Sequence, residues 1–107
     1  MTGMELATAA RYGLNPIVLV LNNHGYGTER PMQDGPYNDL WPWKFDSVPE
    51  VLGAGRGLVV RTERDLCAAL KAAEQDASMF CLIEVMLEQN DRSPVLQRLA
   101  DRMGENI

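Results

Sequence analysis

The chain has 107 residues, 46% of them apolar and 23% charged, with a formal net charge of −5. That is enough for one globular domain with a single core, and no basic cluster points to nucleic acid or to an anionic membrane. No apolar run approaches the length of a membrane span, and the N-terminus lacks the basic and apolar regions of a signal peptide.

The predicted elements run as follows. Thr2-Gly3-Met4-Glu5 has the form of a capping box, which gives Glu5 a structural role at a helix start. A short helix to about Tyr12 should bury Leu6, Ala9 and Ala10. Gly13 ends it, and Asn15-Pro16 makes a turn. Ile17 to Leu21 is an unbroken apolar run, the pattern of a strand buried on both faces. Asn22 and Asn23 follow, then Gly25-Tyr26-Gly27, then the carboxylate of Glu29.

His24 to about Phe45 reads as a long irregular stretch, of the kind that forms lids, binding loops or interface segments. It holds Tyr26, Tyr37, Trp41, Trp43 and Phe45, five of the seven aromatic residues. Pro31, Pro36 and Pro42 restrict its conformations. Trp41 and Trp43 read as packing or subunit-contact residues, because Trp is enriched at interfaces.

Ser47-Val48-Pro49-Glu50 suits a helix start, with Gly53 as its stop. Gly57 to Val60 is a short strand. Thr62 caps a helix whose Leu66, Leu70 and Ala73 recur at core spacing, with Cys67 and Ala69 beside them. Phe80 to Leu87 is a further strand, in which Glu84 must lie either at an edge or against a partner. Ser93-Pro94 opens a last helix with Val95, Leu96, Leu99, Ala100 and Met103 as its apolar face and Gly104 at its end. Cys67 and Cys81 both fall in apolar stretches and read as buried free thiols, which makes the cytoplasm the natural compartment. Alternation of strands and helices predicts an α/β fold, a three-layer parallel sheet with helices on both faces. Three strands leave two open edges, so a further N-terminal strand is expected to complete the sheet.

In open α/β sheets, ligands sit beyond the carboxyl ends of the strands. Asn22, Asn23 and the glycine turn occupy such a place. A hard cation such as magnesium takes side-chain amide and backbone carbonyl oxygens and bridges to phosphate. Asparagine and glycine are also ordinary turn formers, and residue type alone leaves both readings open.

The string LNNHGYGTE, Leu21 to Glu29, resembles the closing half of the thiamine diphosphate motif, which opens on Gly-Asp-Gly and closes on an Asn-Asn pair. The spacing of Gly, Tyr and Glu after the pair resembles the pyruvate and indolepyruvate decarboxylase branch of the 2-oxo acid decarboxylases. The likeness continues upstream through MTGMELATAARYGLNP and downstream through YNDLWPW. It implies that Asn23, through its side-chain oxygen, and Gly25, through its backbone carbonyl, ligate Mg2+. It implies that Asn23, Gly25, Tyr26 and Gly27 bind thiamine diphosphate, and that Glu29 is the acid that handles protons on the carbanion or enamine intermediate. It assigns His24 nothing. It further implies a 2-oxo acid substrate, an aldehyde product, and a homodimer or homotetramer as full-length enzyme, with the aromatic loop near the active-site mouth.

The Gly-Asp-Gly half is absent. The whole chain, 1–107, is therefore expected to be the C-terminal part of the pyrophosphate-binding domain, with Met1 at an internal position of the full enzyme and little activity of its own. Other branches of the superfamily, acetolactate synthase and benzoylformate decarboxylase, usually lack an acid matching Glu29. A nucleotide- or flavin-binding module would need a fuller glycine fingerprint. A non-catalytic remnant that folds only with partner chains is the remaining alternative.

Overall fold

The computed structural model describes residues 3–105. The elements in order are α1 (Leu6–Arg11), β1 (Ile17–Asn22), α2 (Val48–Leu52), β2 (Arg56–Val60), α3 (Glu63–Gln75), β3 (Cys81–Met86) and α4 (Pro94–Glu105). Short 3-10 turns lie at Gly3–Glu5, Pro36–Asn38 and Phe45–Ser47. The strands form one sheet in the order β1-β3-β2. β2 and β3 are parallel, with Arg56 opposite Cys81 and Val60 opposite Val85. Cys81 N–H donates to the Pro16 carbonyl and Leu87 N–H to the Asn22 carbonyl, so β1 and β3 also advance together. The fold is thus the expected α/β arrangement, a parallel sheet flanked by helices.

The chain divides into two compact units, with breaks after Leu21, Trp43 and Met86. The first unit holds α1, all but the last residue of β1, and everything from Lys44 to the end of β3. The second holds the segment Asn22–Trp43 and the chain from Leu87 onward.

The core of the first unit follows from its helix and strand chemistry. Val60, Ala69, Ala73, Cys81 and Ile83 form its buried centre, with Leu58, Leu66, Leu70 and Val85 packed against it. On α3, Leu66, Ala69, Leu70 and Ala73 share one face because a helix turns once every 3.6 residues. Cys67 is one residue off that face and is exposed, so of the two free thiols only Cys81 is buried. The Thr62 hydroxyl accepts from the Asp65 amide and caps α3 as the sequence suggests.

α1 ends in a Schellman arrangement. Gly13 takes a left-handed φ of 63°, its N–H reaches the Ala10 carbonyl, and Leu14 N–H reaches the Ala9 carbonyl. The capping role of Thr2 lies outside the described residues. Glu5 makes no side-chain cap hydrogen bond. Gly53, also left-handed, ends α2.

One strand expectation is corrected, and another is decided between its two branches. β1 is an edge strand, and its burial alternates, with Ile17, Leu19 and Leu21 exposed and Leu21 at 65%. Val and Ile runs suit covered and uncovered strands alike, so the apolar string by itself misplaces the centre of the sheet. The strand covered on both faces is β3, where Cys81 through Glu84 are all buried. Glu84 is therefore a partnered buried acid rather than an edge residue, and its carboxylate accepts from the Asp46 amide at 3.1 Å.

α4 starts as expected, with the Ser93 hydroxyl accepting from the Leu96 amide. Of its predicted apolar face only Ala100 is buried and Leu96 half-buried, while Val95, Leu99 and Met103 are exposed. The helix runs through Gly104 to Glu105. Among the described residues no helix is long and apolar enough to cross a membrane.

Ile83 has no exposed surface. Ile83→Ala should therefore lower unfolding free energy by about 2–5 kcal/mol, as large core truncations do. Thr62→Ala should cost only about 1 kcal/mol, through loss of one cap. Urea titration followed by circular dichroism distinguishes the two.

Candidate functional site

Every residue that the sequence singles out for chemistry lies in the second unit, in the segment that leaves β1. The Asn22 side-chain oxygen accepts from the His24 amide at 3.2 Å, an Asx turn that swings the chain off the strand. His24 itself takes φ 66°, the only non-glycine residue among those described with a positive φ. The chain then turns tightly, since Gly27 N–H donates to the Gly25 carbonyl at 3.1 Å. One lone pair of that carbonyl is used in this way, and a second remains.

Close approach of backbone demands glycine at position 25, and a side-chain end crowds position 27. A Cβ on Gly25 would overlap the Asn38 carbonyl oxygen and the Arg30 guanidinium. A Cβ on Gly27 would overlap the Asn23 side-chain amide nitrogen. The structure thus brings Asn23, Gly25 and Gly27 together in one turn, with the Asn23 side chain lying over the Gly27 backbone. Tyr26 projects outward and is exposed, while its N–H donates to the Asn38 carbonyl at 2.8 Å. Glu29 begins a turn in which its carbonyl accepts from the Met32 and Gln33 amides, and its side chain is exposed.

The loop does not wander after that turn. Gly25 and Asp39 form an antiparallel bridge, and Leu40 N–H returns to the His24 carbonyl at 3.2 Å. A polar cluster holds the return, and sequence reasoning missed it. Arg30 is buried, with its side chain 2% exposed, and pairs with Asp34 at 3.1 Å and Asp39 at 2.9 Å. Asn38, also buried, donates from its side chain to the Gln33 carbonyl and the Asp34 carboxylate. The signal available beforehand was Arg30 and Asp34 four residues apart, with Asp39 beyond. In a segment without helical or strand period, such spacing does not announce a contact.

Burial works against the Arg30 charge, but the hydrogen bonds it donates to Asp39 and Asp34, with the attraction of their charges, outweigh it and raise the guanidinium above its usual range. The Asp34 carboxyl is held below the ordinary carboxylate value, chiefly by the Asn38 side-chain amide, then by the Gly35 amide and Arg30. Trp41 and Trp43 do not pack into a core within this chain, and Trp41 is 81% exposed.

The donor set suits a hard cation in part. Asn23 and Gly25 offer neutral oxygens from one turn, and the Gly25–Gly27 contacts leave no room for larger side chains. Among the described residues no group of three or more His, Cys, Asp or Glu could hold a metal alone.

Residues 1–85 match the model of the thiamine pyrophosphate enzyme C-terminal TPP-binding domain. The chain belongs to this family. It is 42% identical over 91 residues, 81% of its length, to an alpha-keto-acid decarboxylase of Mycolicibacterium paratuberculosis. It is 35% identical over 108 residues, 97% of its length, to an alpha-keto-acid decarboxylase of Mycobacterium ulcerans. It is 32% identical over 109 residues, again 97%, to pyruvate decarboxylase 2 of Arabidopsis thaliana. It spans only 16%, 19% and 18% of the lengths of these relatives. Asn23, Gly25, Tyr26, Gly27 and Glu29 all lie inside the matched residues.

The lowered Asp34 gives a pH dependence with a definite sign. A carboxyl more acidic in the folded loop stabilises it above the unfolded value of about 4. That contribution disappears as pH falls through the lower folded value. Amide exchange at Tyr26 and Asn38 should therefore quicken below about pH 4, beyond the intrinsic trend. Asp34→Asn should remove that extra acid sensitivity, measured by NMR at a series of pH values.

Proposed function

We propose that this chain is the C-terminal part, residues 1–107, of the thiamine diphosphate-binding domain of a decarboxylase. The substrate is a 2-oxo acid of the pyruvate, indolepyruvate or phenylpyruvate type, and the product is an aldehyde. The observation that carries the reading is the turn just past β1 that brings Asn23, Gly25 and Gly27 together, with Glu29 two residues further on, all within the residues matched to the family. The printed names of the relatives, alpha-keto-acid decarboxylase and pyruvate decarboxylase, support the reaction class.

In this reading the Asn23 side-chain oxygen and the Gly25 carbonyl would hold Mg2+, which as a hard cation would supply positive charge for a phosphate group. Tyr26 and Gly27 would line the cofactor along the same turn. When bound, thiamine diphosphate supplies the nucleophilic carbon and the electron sink for loss of carbon dioxide. The chain's own residues bind and orient. Two neutral oxygens leave the phosphate charge to be balanced by the metal, and the Gly25 approach to Asn38 keeps its carbonyl in one place. Glu29 would hold a proton on its carboxyl oxygen and be the group that gives it up at the reacting end of the site. Its exposure in this chain means that the walls drying it come from the rest of the enzyme. The isolated chain is accordingly inactive.

The exposed Trp41, Trp43 and Tyr37 support assembly as a homodimer or homotetramer, since such side chains are enriched at interfaces. Two free cysteines fit a reducing, cytoplasmic setting.

Glu29→Gln in the full-length enzyme should lower kcat by about 10²–10⁴-fold, the usual contribution of a positioned proton donor. Thiamine diphosphate affinity should stay within experimental error. Asn23→Ala should do the reverse, weakening magnesium-dependent cofactor binding first. Steady-state kinetics and cofactor titration by tryptophan fluorescence check both, and unchanged turnover in Glu29→Gln would refute the assignment.

A further inference from the structure

The reading above gives no task to the most deeply buried charge in the second unit. We propose that Arg30 is a positioning residue for the cofactor turn. Its guanidinium clasps the outgoing and returning arms of the loop together, and thereby sets the direction of the Gly25 carbonyl and the placement of Glu29. This rests on the proposed cofactor site and deepens it.

Four observations converge on one atom cluster. The Arg30 Nη2 reaches Asp39 at 2.9 Å and lies 3.4 Å from the Asn38 carbonyl. That carbonyl also accepts from Tyr26 N–H, the residue between the two site glycines. The same Nη2 lies against the Gly25 Cα, so closely that a Cβ there would overlap it. Nη1 holds Asp34, whose carboxylate also accepts from Gly35 N–H and the Asn38 side chain. The guanidinium therefore touches the outgoing arm at Gly25 and the returning arm at Asn38 and Asp39. It belongs to the residue directly after Glu29, so holding it restrains the backbone from which the acid projects.

Chemistry favours placement over net stability as the reason for this arginine. A planar fork can meet several acceptors in fixed directions, which a lysine cannot. A buried ion pair is weak support for stability, because desolvation opposes the attraction. Arg30 Nε is buried without a hydrogen-bond partner, a further cost that an arginine serving only to stabilise would avoid. The Asp34 and Asp39 carboxylates each hold the guanidinium through one oxygen, and that oxygen of Asp39 also accepts from the Gln89 side chain.

The test uses the full-length enzyme with three variants, Arg30→Gln, Arg30→Lys and Asp39→Asn. Thiamine diphosphate with magnesium is titrated by fluorescence, steady-state kinetics are measured, and thermal melts are recorded without cofactor. The Tyr26 amide is followed by hydrogen exchange. Arg30→Gln is expected to weaken magnesium-dependent cofactor binding at least tenfold, lower kcat, and quicken exchange at Tyr26. Arg30→Lys should recover part of the binding, since it restores charge without the fork. Asp39→Asn keeps the arginine and should reproduce the loss in milder form; it carries the test if Arg30→Gln does not fold. A lowered melt with wild-type affinity, kcat and Tyr26 exchange in the folded variants would overturn the positioning role. If the wild-type enzyme itself fails to bind thiamine diphosphate with magnesium, the cofactor site is wrong and this proposal falls with it.

Discussion

The backbone carbonyl of Asn38 receives two hydrogen bonds, one from the Tyr26 amide and one from the Arg30 guanidinium. Tyr26 is on the way out from β1, and Asn38 is on the way back. Everything the site offers depends on that meeting. A loop this long, left to itself, would sample many directions for the Gly25 carbonyl and the Asn23 amide. Drawn together at Asn38, and bridged again by Leu40 to His24, it keeps Gly25 and Asn23 in one turn. The glycine at position 25 is the condition for the contact, because any side chain there would collide with the carbonyl that closes the loop.

The two units are held by different physics. The first is a small apolar core of β2, β3 and α3, ordered by burial and by helix caps. The loop in the second depends on hydrogen bonds and ion pairs around a buried cation, much of it close to water. Polar clusters of this kind give direction more than free energy, since desolvation offsets much of what the pairs gain. Segments so held lie at the lower end of local stability, which suits a region that must admit a cofactor.

Much of this was legible in the sequence. The order of helices and strands, the Gly13 stop, the Thr62 and Ser93 caps and the parallel sheet follow from turn chemistry and periodicity, which act locally. The strand end carrying Asn23 and Gly25 was legible because a motif is also local. What was not legible depends on distant partners. Burial of β1 was misread because covering a face is a tertiary event. Cys67 was misplaced because the helical face shifts by about 100° per residue. Arg30 stayed hidden because its partners at Asp34, Asn38 and Asp39 meet it only when the loop closes.

The shared grip of Asn23 and Gly25 on one cation is the centre of the account. The direct measurement is a crystal structure of the full-length protein grown with thiamine diphosphate and Mn2+ in place of Mg2+, with an anomalous difference map collected near the manganese edge. The account predicts a single peak bonded to both the Asn23 side-chain oxygen and the Gly25 carbonyl, at about 2.1 Å or slightly more, as for a small hard cation. A peak ligated by other residues, with the Asn23 amide and the Gly25 carbonyl turned away from it, would contradict the account.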